Sequence, residues 1–367
     1  MRIIHCADLH IDSKMNSHLS AEKAKQRKNE LLDTFKRMLV FADENDVKAV
    51  IIAGDLFDTN HISARARNAV RSLIEDYGEI DFYYLRGNHD VDSAFDKQGE
   101  LPKNLHLFGD EWTQYILNED QERKIVLNGV ELTKDNSNTI YTTLILDSGN
   151  FNIVTLHGQE SEKKAKDKAE VIGIRELRGR SIDYLALGHV HMFKMEDLDT
   201  RGTYCYPGCL EGRGFDECGE HGFVLLDIDE KTGKYTRDFV SIAFRNIYEC
   251  DIDISGLDNT HNIEKRIRDR LSELNYKDTS LVKIVLVGDV DVECEKDTEY
   301  LRSCFEDDYY FLKLVDKTSY RIDLESLAMD VSLKGEFIRT VNGEDFSEED
   351  KSNIIRMGLQ LFDGEEV

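Results

Sequence analysis

The sequence predicts an α/β fold with a second, smaller α+β unit behind it. Three observations lead there. Across the first half, short apolar, β-branched runs alternate with longer amphipathic segments, the pattern of strands joined by crossover helices. Five of those runs end alike, in Asp, Asn or His and mostly beside a glycine. Near residue 245 the pattern restarts as strand, helix, strand, helix, strand. At roughly 150 residues per domain, 367 residues fit two domains or three.

The five runs are Arg2–Cys6, Ala49–Ala53, Phe82–Leu85, Ile153–Leu156 and Tyr184–Leu187. Between the first two, Leu31, Leu32, Phe35, Met38 and Leu39 fall at spacings of three and four and predict a helix over 21–44. Val70, Leu73 and Ile74 form the apolar stripe of a second crossover helix over 64–77. Residues 113–149 alternate polar and apolar, with turn signals at Asn128-Gly129 and Ser148-Gly149. They predict antiparallel strands added to the central sheet. Phe223–Ile228 is a further strand, ended by the turn-like 229–233. The restarted pattern places strands at 247–254, 282–287 and 311–315, and helices at 262–274 and 298–305. Two helices follow, the second capped by Ser347 with Asp350 three residues on. The apolar Ile354, Ile355, Leu359 and Phe362 of that helix suit either covering the C-terminal unit or docking on a partner. The expected division is 1–243, 244–322 and 323–367.

Charged residues make up 33% of the chain, and 73 acidic against 47 basic side chains give a net charge of −26. That total does not exclude nucleic acid, because it says nothing of where the charges sit. Residues 1–250 hold 32 basic and 44 acidic side chains (−12), and 251–367 hold 15 and 29 (−14). Three segments run the other way. Residues 14–37 and 163–180 each carry seven basic and three acidic side chains, and 61–71 carry Arg65, Arg67 and Arg71 with no acid. Each begins near one of the strand-end motifs, which predicts a basic collar around an acidic site, with few and salt-sensitive phosphate contacts.

Seven scattered cysteines, an odd number in a long chain, argue against a secreted disulfide framework. The first residues form a strand rather than a leader, and no apolar run approaches ~18 residues. A soluble, cytoplasmic protein with no membrane association is expected. Cys205, Cys209, Cys218 and His221 have an irregular spacing and read as loop residues rather than zinc ligands. Cys6 reads as inert packing and Trp112 as core.

The chemistry sits at the strand ends. The first run leads to Asp8-Leu9-His10, the second to Gly54-Asp55-Leu56-Phe57-Asp58 and the third to Gly87-Asn88-His89-Asp90. The fourth leads to His157-Gly158 and the fifth to Gly188-His189-Val190-His191. Open α/β sheets bind ligands beyond the carboxyl ends of their strands. Five strand ends delivering these side chains converge on one edge of the sheet as a metal site. Imidazole and carboxylate donors without thiolate suit Mn, Fe or Zn better than Ca or Mg. Seven candidate ligands exceed what one tetrahedral ion uses and suit two ions sharing an Asp.

This ordered set resembles the calcineurin-like metallophosphoesterase superfamily over about residues 1–240. Within it, the chain is most similar to the SbcD branch of DNA repair nucleases, which includes the YhaO-type exonucleases. The likeness lies in the opening RIIHCADLHID, the blocks IIAGDLFDTN and YLRGNHD, the HGQE after the fourth run, and the paired histidines of LGHVH. It extends to Tyr206-Pro207-Gly208 and the stretch from Glu211 to Glu217.

The resemblance implies a β-sandwich flanked by helices, layered α/β/β/α. It implies that Asp8, His10, Asp55 and His191 bind one metal and that Asp55, Asn88, His157 and His189 bind the other, typically Mn. His89 would lie over the scissile phosphate as general acid. Relatives from archaea and eukaryotes carry a second histidine where this chain has Asp58. Its role is open between holding a ligand histidine and positioning substrate. Arg65, Arg67 and Arg213 are candidate substrate contacts. The activity implied is a 3′-to-5′ DNA exonuclease with single-strand endonuclease activity, working as a homodimer with an SMC-like ABC ATPase of SbcC type. The α+β unit would cap the site and position DNA, and the C-terminal helices would dock on the partner.

Two other functions use the same residues. One is a phosphatase or phosphodiesterase of small molecules or phosphoproteins. The Ser/Thr phosphatase pattern would need Arg-Gly after the second motif and Glu after His89, where this chain has Asp58-Thr59-Asn60 and Asp90. The other is a scaffold protein with a degenerate site, which a complete ligand set disfavours.

Overall fold

The computed structural model describes residues 1–367 apart from 16–18, 59–61, 91–94, 96–99, 163–169, 292–293, 321–331 and 363–367. It divides into two units, Met1–Asn246 and Ile247–Val367.

The first unit opens with β1 (Arg2–Cys6), α1 (Ala21–Glu44), β2 (Val47–Ala53), α2 (Ala64–Asp76), β3 (Asp81–Leu85) and β4 (Leu105–Leu107). It continues through β5 (Thr113–Ile116), β6 (Ile125–Gly129), α3 (Ile140–Thr143), β7 (Phe151–His157), β8 (Gln159–Ser161), β9 (Val171–Gly173) and α4 (Ile174–Leu177). It closes with β10 (Tyr184–Gly188), β11 (Lys194–Asp197), β12 (Thr203–Tyr206), β13 (Gly222–Ile228) and β14 (Tyr235–Ser241).

These strands build two six-stranded sheets, the sandwich that the resemblance implies. The first has the order β14-β13-β1-β2-β3-β4 and the second β11-β12-β10-β7-β6-β5. Strands β1 to β4 are mutually parallel, as are β12, β10, β7 and β6. The expected antiparallel addition at 113–149 is therefore corrected. Within 113–149, β5 runs antiparallel to β6 on one edge of the second sheet, while β6 pairs parallel with β7. Asn128-Gly129 lies inside β6 and makes no turn. A Cβ on Gly129 would fall 2.5 Å from the Phe108 ring, so the glycine serves close packing of a strand.

The side-chain period of two sorts the layers. From β1, Ile3 packs with Ile51, Ile153 and Tyr184 in the core between the sheets. Ile4 and Cys6 point the other way, onto Phe35, Met38 and Leu39 of α1 and Val70 and Ile74 of α2. The outer face of the second sheet is covered by Ile140 and Tyr141 of α3, Ile174 and Leu177 of α4, and their flanking loops. The layering is α/β/β/α. Both long helices start on a serine cap: Ser20 accepts from Lys23 N at 3.3 Å and Ser63 from Ala66 N at 3.2 Å.

The second unit runs β15 (Ile247–Asp253), α5 (Thr260–Leu274), β16 (Leu281–Val287), β17 (Asp289–Val290), α6 (Thr298–Ser303), β18 (Phe311–Asp316), β19 (Ser319–Tyr320), α7 (Leu333–Gly343) and α8 (Glu348–Phe362). Strands β15, β16 and β18 form a parallel sheet, with Ile263, Ile267 and Leu271 of α5 in its core. Ile355 of α8 packs on Ile338 and Val341 of α7, and Ser347 caps α8 by accepting from Asp350 N at 3.1 Å. The side chains of 359 and 362 lie outside the described residues. Among the described residues no helix is long and apolar enough to cross a membrane.

Candidate metal centre

Beyond the carboxyl ends of β1, β2, β3, β7 and β10 the two sheets meet, so the site takes its side chains from both. The strand pairing of β1 and β2 continues into their loops: Asp8 N donates to Gly54 O at 3.1 Å and His10 N to Asp55 O at 3.0 Å. Those loops hold Asp8, His10 and Asp55 at φ of 54°, 44° and 51°, and His189 sits at 104°. Non-glycine residues rarely adopt this region, and such strain concentrates where a site must aim side chains. Two glycines let the sheets close on each other. A Cβ on Gly54 would lie 2.0 Å from His157 Nδ1, and one on Gly188 would lie 1.8 Å from Ala53 O.

The side chains gather tightly. His10 Nε2 and His191 Nε2 are 3.2 Å apart. Asp55 Oδ2 lies 3.7 Å from His10 Nε2 and 3.4 Å from His157 Nε2, so one carboxylate oxygen faces both imidazoles. Asp8 Oδ1 is 3.9 Å from His191 Nε2, and Asn88 Oδ1 is 3.0 Å from His157 Nε2. His189 packs its ring edge-on to His157 with centroids 5.3 Å apart, and its backbone N–H donates to both Asp8 oxygens. Among the described residues, three clusters have the spacing of metal ligands: Asp8-His10-His191, Asp8-Asp55-His157 and His10-Asp58-His89. His189 and the Cys205, Cys209, Cys218 and His221 group belong to none of them.

The imidazoles are oriented from behind. His157 Nδ1 is 2.9 Å from Ala53 O, His191 Nδ1 is 2.7 Å from Glu217 Oε1, and His10 Nδ1 is 3.1 Å from Asp58 Oδ1. His157 and His191 thus meet acceptors at Nδ1 in hydrogen-bond geometry, and His10 Nδ1 stands at ion-pair distance from one, which leaves each Nε2 directed into the centre. Two imidazole nitrogens on one ion at ~2.1 Å stand about 3.0–3.4 Å apart, and the His10–His191 spacing matches. The residues present fit divalent metal.

Charge follows the same logic. Burial pushes Asp8 up to about 6, against the pull of His157 and His191. Burial also opposes ionisation of Asp55, but the hydrogen bond and charge of His157, with His10, hold its carboxyl well below the usual range. Burial works against a charge on His157, yet Asp55 and Asp8 outweigh it and raise its pKa to about 9. The carboxylates demand positive charge, and protons and a divalent ion compete for the same lone pairs.

The exposed His89 stands at the rim. Its N–H donates to Asp55 Oδ1 at 3.0 Å, and its Nδ1 lies 3.3 Å from Asp58 O. Of the candidate substrate contacts, Arg65 is exposed on α2. Arg67 is half-buried, with Nη2 donating to Ile62 O at 3.4 Å. Arg213 donates to Asp58 Oδ1 at 2.9 Å and Glu217 Oε1 at 2.8 Å, so its guanidinium already serves the site.

The basic collar over 14–37 is reduced. Arg27 is fully buried among Glu30, Glu211 and Gly212 O, and Lys28 Nζ pairs with Asp12 at 2.7 Å. The basic stretch at 163–169 lies outside the described residues.

Sequence reasoning gave no role to Glu217 or Asp90. Asp90 accepts from Phe57 N and Gly87 N, both at 2.9 Å, and from Leu56 N at 3.3 Å, locking the second motif's loop to the third's. The sequence signal for Glu217 was its place at the end of the branch-like stretch that begins at Glu211.

Comparison with known proteins agrees with this geometry. The chain is 24% identical over 358 residues to the uncharacterized metallophosphoesterase YhaO of Bacillus subtilis, covering 89% of this chain and 84% of that one. It is 34% identical over 317 residues to the DNA double-strand break repair protein Mre11 of Sulfolobus acidocaldarius, covering 80% and 76%. It is 23% identical over 264 residues to SbcD, a component of the SbcCD nuclease, from Staphylococcus epidermidis, covering 62% and 66%. Residues 1–193, which contain all seven candidate ligands, match the calcineurin-like phosphoesterase family. On that match, and on the Mre11 identity along four-fifths of its length, the chain belongs to the calcineurin-like phosphoesterase family.

Proposed function

We propose that this phosphoesterase is a manganese-dependent DNA nuclease, a 3′-to-5′ exonuclease that also cuts single strands. The observation that carries the reading is Asp55, whose Oδ2 faces His10 and His157 at once, as a carboxylate shared by two ions must. Asp8, His10, Asp55 and His191 would hold one ion, and Asp55, Asn88, His157 and His189 the other. When bound, the ions supply the positive charge that polarises a phosphoryl group and makes hydroxide available at neutral pH. The imidazole and carboxylate donors suit manganese, iron and zinc alike, and manganese is proposed because the resemblance to the SbcD branch implies it.

The chain's own residues do the rest. His89, exposed at the rim, gives a proton to the departing alkoxide oxygen, a poor leaving group without it. Asp55 holds the His89 backbone and faces the imidazoles with its second oxygen. Arg65 and Arg67 are proposed to meet backbone phosphates, making few, salt-sensitive contacts on an acidic chain. Since the SbcCD relative is by name one component of a complex, an SMC-like ABC ATPase is the proposed partner of a homodimer. The division into catalytic part, α+β cap (244–322) and docking helices (323–367) belongs to this proposal.

The test is degradation of end-labelled duplex DNA with Mn²⁺ and with a chelator. Shortening from the 3′ end only with the metal is expected. Rapid turnover of a phosphomonoester with DNA left intact would instead assign a small-molecule phosphatase.

A further inference from the structure

We propose that Asp58, Arg213 and Glu217 act as one positioning unit that presents His10 and His191 to a single divalent ion, making the two ion positions unequal. The inference rests on the metal reading above and deepens it.

The two imidazoles whose Nε2 atoms face each other across 3.2 Å are the two backed by carboxylates. Asp58 Oδ1 stands 3.1 Å behind His10 Nδ1, and Glu217 Oε1 stands 2.7 Å behind His191 Nδ1. One guanidinium ties those carboxylates together. Arg213 donates through Nη1 to Asp58 Oδ1 at 2.9 Å, and through Nη2 and Nε to Glu217 Oε1 at 2.8 and 3.1 Å. A guanidinium has no lone pair to offer, so the His191 Nδ1 proton belongs to Glu217 although Arg213 Nη2 is 3.2 Å away.

The remaining carboxylate oxygens are pinned as well. Ser13 Oγ donates to Asp58 Oδ2 at 3.0 Å, and Arg213 N donates to Glu217 Oε2 at 2.7 Å. The Cys209 thiol, 3.6 Å from Glu217 Oε2, closes the back of the unit. Neither carboxylate can rotate without breaking a bond, so the planar fork of Arg213 sets the distance between the imidazoles it never touches at Nε2.

Among the described residues, the second position shows no carboxylate bonded behind a ligand imidazole, and Glu170 acts on His189 through charge alone. His157 Nδ1 meets the neutral carbonyl of Ala53, and Asn88 contributes a neutral amide. A carboxylate behind a ligand imidazole raises its donor strength, whereas a peptide carbonyl does so less. Asp58 and Arg213 are therefore positioning residues for the first ion.

The experiment is calorimetric titration of Mn²⁺ into the whole chain, with electron paramagnetic resonance of the bound ion. Wild type is compared with Glu217→Gln, Asp58→Asn, Arg213→Lys and the Glu217→Gln/Arg213→Lys double variant. Each single change is expected to weaken one ion about 10–100-fold and alter its signal, leaving the other within about twofold. The double variant should lose less than the product of its singles, because the parts act together. Lysine, a point charge, should not replace the fork. Wild-type affinity for both ions in folded Glu217→Gln and Asp58→Asn, or equal weakening of both ions, would overturn the proposal. If Glu217→Gln does not fold, Asp58→Asn on the half-exposed side decides alone. DNA cleavage plays no part in this readout, so failure of the nuclease reading registers separately.

Discussion

Replacing His89 by alanine is expected to slow DNA hydrolysis by about 10²–10⁴-fold, the range lost with a general acid. The same change should have little effect on bis(p-nitrophenyl) phosphate, whose leaving group departs without a proton. The contrast follows from the structure. His89 holds the Asp55 carboxylate through its backbone N–H, which alanine keeps, and its imidazole stands exposed at the rim. Metal binding should be unchanged in the variant. Steady-state rates on both substrates, with Mn²⁺ titrated in parallel, make the comparison. Equal loss on both would mean that His89 supports the centre itself and protonates nothing.

The second large effect is on stability. Arg27→Met is expected to destabilise the fold by about 3–5 kcal/mol, the cost of breaking a buried ion pair from one side. Arg27 is fully buried and donates to Glu30, to Glu211 Oε1 at 2.8 Å and to Gly212 O. Glu211 keeps Thr34 Oγ1 at 2.8 Å and Phe244 N at 2.7 Å, and Glu30 keeps Arg245 Nη2 at 2.7 Å. That residual satisfaction points to the lower end of the range.

The network also carries a pH dependence. Burial opposes the charge of Glu30, but Arg245 and Arg27 win and lower its pKa. A group depressed in the folded state contributes stability above its ordinary value, and loses it as pH falls through the folded value. Arg27→Met should therefore shrink the acid-sensitive part of the stability. Urea unfolding of both proteins at neutral and acidic pH measures both effects, and unchanged neutral stability would contradict the account. The loop tied down here, Leu210 to Glu217, carries Arg213 and Glu217 to the metal centre.

Much of this was legible in the sequence, and the rest was hidden for identifiable reasons. The strand ends were legible because β1, β2, β3, β7 and β10 are apolar runs that stop at chemistry-bearing residues. The sandwich followed from the resemblance, but which strand joins which sheet was not legible, since a parallel strand buried on both faces looks alike in either. Asn128-Gly129 read as a turn because its dipeptide suits one, while the structure uses the glycine to admit the Phe108 ring. Arg27 read as part of the basic collar. Its partner Glu211 lies 184 residues away, beyond the reach of any local pattern. Asp58 was visible but ambiguous, and only the approach of His10, Ser13 and Arg213 to one carboxylate gives it a place.

The central claim is that one carboxylate joins two divalent ions in this centre. Equilibrium dialysis of the chain against Mn²⁺, in wild type and in Asp55→Asn, tests it most directly. Two ions per chain in wild type, and loss of both from the variant at the same free metal, are predicted. A single ion in wild type, or two ions retained without the Asp55 carboxylate, would contradict it.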